Sequence, residues 1–346
     1  LNGVQKNMRM ALYFTAPREV TLRREEVPPP STGEVQVRSL VSGISAGTEM
    51  LFYRGLVDEG SPLDTTIPSL REGLHRPFKY GYATVGVVGS VGDGVTSEWE
   101  GRTVFSFHSH ESLFNATLAE VIPVPPGIGV EDAVMLPATE TALSLAMDAA
   151  PLVGERAVVL GQGVIGLLTT AVLSFMPLSR LVTSDLVPMR RERSLGLGAD
   201  ASLGPDLGPR DFLEAAGLSA CPADLVFELT GNPRALELAT HITGVEGRVI
   251  VGSWYGNQAF SCPLGEAFHR KRLRIISSQV SRIGGELSPR WTKERRIEEA
   301  WRLVARIRPS RLITHRLPFG KAPTAYHLLD ENTEDAIQVI LEYPEA

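Results

Sequence analysis

Gly161, Gly163 and Gly166 stand in the run AVVLGQGVIG, between an apolar stretch that reads as a strand and one that reads as a helix. Glycines at this spacing suit a diphosphate. The first permits a tight turn, the second leaves the backbone open to a phosphate, and the third lets the helix close on the strand. Val164, Ile165 and Gly166 open the helix, where free N–H groups and the positive end of the helix dipole attract an anion. Asp185 follows the next strand-like run, RLVTS, at 185 − 161 = 24 residues from the first glycine. That is near the spacing at which a carboxylate accepts from the ribose hydroxyls of NAD and repels the 2′-phosphate of NADP. Arg190 and Arg191 come next. They would either take such a phosphate or lie on a solvated helix face; because the acid precedes them, NAD is expected over NADP.

A second group of chemical residues is the H-x-H of His108 and His110, with Glu111 behind it. The run RTVFSFH reads as a strand, so both imidazoles are expected on one side. Two histidines without two further clear ligands make a poor metal site, and polar contacts in a substrate pocket are the preferred reading. Glu140 lies in the apolar helical run EDAVMLPATETALSLAMDAA and needs a partner if buried: Thr48, a substrate hydroxyl or a cation. Arg282, Arg290, Arg295 and Arg296 are read as a solvated face, with a substrate anion as the other option.

The elements that must position these residues change character along the chain. From Met8 to about Pro126, short β-branched runs such as VQVRSL and YATVGVVGSV alternate with Gly and Pro, which suggests a small barrel or sandwich. From about residue 131 strands and helical stretches alternate: RAVVL, then the glycine turn and its helix, RLVTS, LVFEL, a helix from Pro233 to Ile242, and RVIV. That order implies a parallel sheet with helices on both faces. A charged helix over Lys293–Ile307 and a final strand over Ala336–Tyr343 are also expected. The 346 residues suggest about two domains. With 34 basic and 40 acidic residues, a net charge of −6 argues against nucleic acid or an anionic membrane as partner. Two cysteines exclude a disulfide scaffold and a four-cysteine zinc site. The folded pattern is expected from Met8, after Leu1–Asn7. No apolar stretch follows Lys6 and Arg9 as a secretory signal would require, so a cytoplasmic protein with reduced thiols is expected.

These features occur together in one known family. The segments MRMALYFTAPREV, GEVQVRSLVSGISAGTE, PFKYGYATVGVVGSVGDGV, the glycine fingerprint, DLVFELTGNPRAL and GRVIVGSWYG follow one another as in the medium-chain dehydrogenase/reductase superfamily. The chain resembles that family from about Met8 to Tyr343. The resemblance implies a GroES-like β-barrel catalytic domain (residues 8–137 and 281–346) and a Rossmann domain with a doubly wound parallel sheet (residues 138–280), with the active site in the cleft between them. It also implies NAD(H) contacts from Thr141, Thr230, Gly252 and Ser253, with Trp254 flanking the nicotinamide on the substrate side. Thr48 falls where the family keeps a hydroxyl that bonds the substrate oxygen. Zinc-dependent members have Cys where this chain has Ser45, His-Glu where it has Tyr82-Ala83, and a third ligand near Pro137 or Ala138. Hydroxyls and proline do not replace thiolate, imidazole and carboxylate as a zinc set. The chain therefore resembles a zinc-free branch, and no zinc is expected. The nearest subgroup on the segments SGISAGTE, PFKYGY, VFSFHSH and ETAL is the 3-hydroxyethyl bacteriochlorophyllide a dehydrogenase type, from which the stretch SSQVSRIGGELSPRWTKERR departs.

Without zinc, hydroxyl side chains must polarise the C–O bond and move the proton. The candidates are Tyr82 as acid–base, Thr48, and Ser45, which would equally serve as a loop-capping hydroxyl. Glu49 is read as a structural acceptor for backbone N–H groups in its loop. The expected function is zinc-independent hydride transfer between NAD(H) and a small secondary alcohol or its ketone, in a homodimer or homotetramer. The alternatives are an NAD(P)H-dependent enone or quinone reductase, and a non-catalytic dinucleotide-binding protein.

Overall fold

The computed structural model describes residues 7–63, 67, 70, 73–204, 206–332 and 334–344. The chain divides into two compact units, Leu1–Pro137 with Arg308–Ala346, and Ala138–Ile307. Among the described residues no helix is long and apolar enough to cross a membrane.

The first unit is β-rich. β1 (Asn7–Ala16) and β2 (Glu19–Val27) form an antiparallel hairpin with a register shift between Phe14 and Ala16. β3 (Glu34–Ile44) is the spine of the larger sheet. It is followed by the short helix α1 (Glu49–Arg54), then β4 (Thr84–Val91), β5 (Thr103–Ser106), β6 (Leu113–Thr117), β7 (Val121–Pro123) and α2 (Val130–Ala133). β3 pairs antiparallel with β4 and β6. α1 ends where Gly55 takes a left-handed φ of 72°, which a side chain would resist. The core of this unit is aromatic. Phe14 stacks on Phe78 at 5.2 Å between ring centres, and Phe52 lies 4.4 Å from Tyr80. Such pairs add to plain area burial. They also fix the segment that carries Tyr82, whose ring meets Tyr80 edge-on at 6.2 Å.

The helical run around residues 131–150 is two helices. α3 (Leu136–Ala149) begins one residue before Pro137, which lies in its first turn. There the missing N–H costs nothing, so the proline starts this helix instead of interrupting one.

In the second unit, β8 (Arg156–Leu160), α4 (Val164–Leu173), β9 (Arg180–Ser184), α5 (Pro188–Gly196), β10 (Ala201–Leu203), α6 (Pro209–Ala215), β11 (Ala223–Glu228), α7 (Ala235–Ile242), β12 (Thr243–Val251), α8 (Ala267–Arg270) and β13 (Arg274–Ser277) alternate. All neighbouring strands pair parallel, in the spatial order β10-β9-β8-β11-β12-β13. Numbered within the unit this is 3-2-1-4-5-6, the doubly wound dinucleotide-binding order, with its reversal at β8. α9 (Lys293–Ile307) belongs here as well. Residues 281–307, expected with the catalytic domain, are thus part of the second unit. Their anchor is Arg296, whose side chain reaches Glu140 of α3. The chain then returns to the first unit with β14 (Ile313–Pro318), α10 (Ala322–Glu331) and β15 (Gln338–Glu342), which lies against β3.

Candidate active site

The glycine turn lies between β8 and α4. Gly161 has φ +88°, and a Cβ there would stand 2.6 Å from the Leu229 carbonyl oxygen. A Cβ on Gly166 would lie 1.9 Å from the carbonyl oxygen of Gly161, whereas one on Gly163 would meet nothing within 4 Å. Two of the glycines are therefore required by the fold, and the third leaves open space at the start of α4. Val164 and Ile165 supply the first helical N–H groups, as the sequence implied.

Asp185 is bound to this turn. Its Oδ2 accepts the Gln162 N–H at 2.6 Å and its Oδ1 the Val187 N–H at 2.8 Å. Each carboxylate oxygen keeps a second lone pair for a ribose hydroxyl. Arg191 donates to the carbonyls of Asp185 and Leu186 at 2.8 and 2.9 Å, so it supports the strand end and is not an open phosphate clamp. Arg190 is half-buried.

Past β11, the Glu228 carboxylate is fully buried. It accepts the Thr230 N–H at 2.8 Å, the Thr230 hydroxyl and the Tyr255 hydroxyl. Burial, followed by bonding to this carboxylate, raises the Tyr255 phenol far above its ordinary pKa, which keeps it a donor. Ser253 accepts the Gly231 N–H at 2.9 Å. Ser253 and Tyr255 thus tie the loop after β12 to the one after β11. Gly252 fits between Leu229 and Leu145, whose methyls would stand 2.6 and 2.7 Å from a Cβ. Thr141 is half-buried on α3, and Trp254 is 45% exposed. The strand pattern of LVFEL gave no sign that Glu228 would gather this loop.

Of the partners left open for Glu140, the structure shows a cation. Glu140 Oε1 accepts from Arg296 Nε at 2.9 Å, and both side chains are almost wholly buried. Burial pushes the Glu140 pKa up, against the pull of Arg296. Arg296 also donates to the carbonyls of Val280 and Arg282. The helix face expected to be solvated therefore carries a buried guanidinium, while Arg295 packs over the ring of Trp291 at 4.1 Å. Arg296→Ala strands a buried carboxylate and should cost about 3–5 kcal/mol in denaturant unfolding. A loss under 1 kcal/mol would contradict this role.

In the first unit, Ser45, Thr48 and Tyr82 are brought together. The Tyr82 hydroxyl donates to Ser45 Oγ and lies 3.4 Å from Thr48 Oγ1. All three side chains are half-buried. The histidines are placed differently from expectation. β5 ends at Ser106, so neither imidazole lies on a strand and they do not share a face. His108 stacks on Phe114 at 3.9 Å, and burial lowers its pKa. His110 is fully buried, with both ring nitrogens bonded to Glu49 and Ser42, so it does not line a pocket. Among the described residues no group of three His, Cys, Asp or Glu could hold a metal. The positions of the family's zinc ligands carry two hydroxyls, which do not fit zinc.

No protein-family model matches the chain. It is 25% identical over 348 residues to D-guloside 3-dehydrogenase of Escherichia coli K12, covering 95% of this chain and 98% of that one. Among solved structures it is similar to the RspB alcohol dehydrogenase of Escherichia coli CFT073 complexed with NADH, with a TM-score of 0.78, 18% identity, and coverage of 97% and 99%. A putative zinc-binding dehydrogenase of Sinorhizobium meliloti bound to NADP gives a TM-score of 0.77 at 17% identity, over 97% of this chain and all of that one. At these identities the structural likeness carries the fold, and the two neighbours hold different coenzymes.

Proposed function

From the premise that the chain is an oxidoreductase of the medium-chain dehydrogenase/reductase kind, we propose that it moves a hydride between NAD(H) and a secondary alcohol or ketone, with Tyr82, Ser45 and Thr48 handling the proton in place of zinc. The observation that carries this reading is the phenol of Tyr82 bonded to Ser45 within reach of Thr48. When bound, the nicotinamide supplies or accepts the hydride. The chain holds the diphosphate over Gly163 and the helix start, and the ribose on Asp185. In reduction, the Tyr82 hydroxyl gives its proton to the carbonyl oxygen as that oxygen gains charge. Ser45 and Thr48 stabilise the resulting phenolate by donating to it. In oxidation the same phenolate removes the alcohol proton.

Asp185 favours NAD. With a carboxylate fixed at the ribose site, a 2′-phosphate meets a negative charge, and Arg191 is spent on carbonyls. This also speaks against an enone reductase that uses NADPH. Asp185→Asn should weaken NAD by about tenfold to a hundredfold, the worth of hydrogen bonds to a charged group, and lower the preference over NADP. The kcat/KM ratio for the two coenzymes checks it; an unchanged ratio would count against Asp185. A panel of butane-2,3-diol, cyclohexanol, a methyl hexoside, their ketones, and cyclohexenone tests the reaction class. Oxidation of an alcohol with NAD is expected, and turnover of the enone alone would overturn the reading.

A further inference from the structure

Behind the hydroxyl trio lies a buried polar chain that the proton step above does not use. Glu49, the first residue of α1, is fully buried. Its Oε1 accepts the Ser45 N–H at 2.8 Å, and its own N–H returns a bond to the Ser45 carbonyl at 2.8 Å. Its Oε2 accepts the Tyr326 hydroxyl and lies 3.0 Å from His110 Nε2. His110 Nδ1 lies 2.7 Å from Ser42 Oγ, which is 2.9 Å from the Tyr343 hydroxyl. Burial, and next the Glu49 charge, keep the Tyr326 phenol protonated, so it remains a donor to the carboxylate.

A buried carboxylate is costly, and apolar residues of the same volume serve a core as well or better. This one holds the Ser45 N–H, while the backbone N–H of Glu49 holds the Ser45 carbonyl. The same assembly also touches the segment of Tyr82. Gly81, at φ +120°, passes so close to the His110 ring that a Cβ would stand 2.7 Å from its Cδ2. The His110 N–H bonds the Tyr80 carbonyl at 3.3 Å. The Glu49–His110 pair thus grips the chain at Ser45 on one side and, through the His110 backbone and ring, at Tyr80 and Gly81 on the other.

We infer that Glu49 and His110 are positioning residues that set the geometry between the Tyr82 hydroxyl and Ser45. They touch neither substrate nor coenzyme. The inference rests on the reading that Tyr82 handles the proton. Glu49→Gln keeps the volume and one acceptor oxygen, but turns an N–H₂ group toward two donors, Tyr326 and His110. A small displacement of a reacting group is expensive in rate, so kcat with the fastest alcohol of the panel should fall about tenfold to a hundredfold. NADH affinity and the KM for coenzyme should not move.

The decisive readout is a double-mutant cycle. If Glu49 acts through Tyr82, the double variant Glu49→Gln/Tyr82→Phe is no slower than Tyr82→Phe alone. If Glu49 merely supports the fold, the losses multiply, and the inference is overturned. If Glu49→Gln does not fold, Gly81→Ala disturbs the pair from the His110 side and enters the same cycle; multiplying losses there overturn the inference equally. A Glu49→Gln variant with unchanged kcat beside a crippled Tyr82→Phe sinks the inference alone. Full activity in Tyr82→Phe sinks the proton assignment and the inference together.

Discussion

Tyr82→Phe is expected to slow turnover by about a hundredfold to ten-thousandfold, the usual contribution of a positioned acid–base group. The phenyl ring keeps its edge-on contact with Tyr80, so folding should be unaffected. The residues proposed to hold the coenzyme lie in the other unit of the chain, so NADH affinity should stay the same. Only the oxygen that bonds Ser45 and approaches Thr48 is removed. Ser45→Ala should cost less, because Thr48 still reaches the phenolate. Steady-state kinetics together with NADH titration separate these effects. Undiminished kcat in Tyr82→Phe would move the proton chemistry elsewhere.

Gly166→Val should remove both coenzyme binding and much of the stability of the second unit. Its Cβ would stand 1.9 Å from the Gly161 carbonyl oxygen and 2.8 Å from the carbonyl carbon. These are backbone atoms of the turn itself and cannot step aside as a flexible side chain would. Overpacking of this kind costs about 1–3 kcal/mol, occasionally more. Gly163→Val supplies the contrast. Its Cβ points into open space. The melting temperature should therefore stay near that of the parent, while NADH affinity falls because the methyls occupy the diphosphate's place. Differential scanning fluorimetry and calorimetric titration of both variants check this pair. Equal loss of stability in both would mean that the turn is purely structural.

The sequence made local features legible and hid those built from distant segments. The fingerprint glycines, Asp185 and the alternation of strands and helices are encoded within a few tens of residues. The α/β order of the second unit could therefore be read directly. The convergence of Ser45, Thr48 and Tyr82 was anticipated only through the family resemblance, since 37 residues separate Tyr82 from Ser45. The Glu49 assembly was hidden further. Tyr326 lies 277 residues from Glu49 and Tyr343 301 residues from Ser42, so no spacing rule connects them.

Three differences between the sequence pattern and the structure have physical causes. Apolar alternation through Phe105 and Phe107 predicts a strand that reaches His108 and His110, whereas β-pairing stops at Ser106. The charged neighbours of Arg296 predict a solvated side chain. A single guanidinium facing Glu140 reverses its environment. The same contact ties residues 281–307 to Glu140 of the second unit.

In the proposed function, a nicotinamide coenzyme binds at the glycine turn of the second unit, with NAD preferred. Isothermal titration calorimetry with NADH and NADPH tests it most directly. One NADH site per chain is expected, with a Kd on the order of 1 μM, equivalent to about −8 kcal/mol, and NADPH should bind more weakly by about tenfold or more. No heat of binding from either coenzyme at millimolar concentration would contradict it.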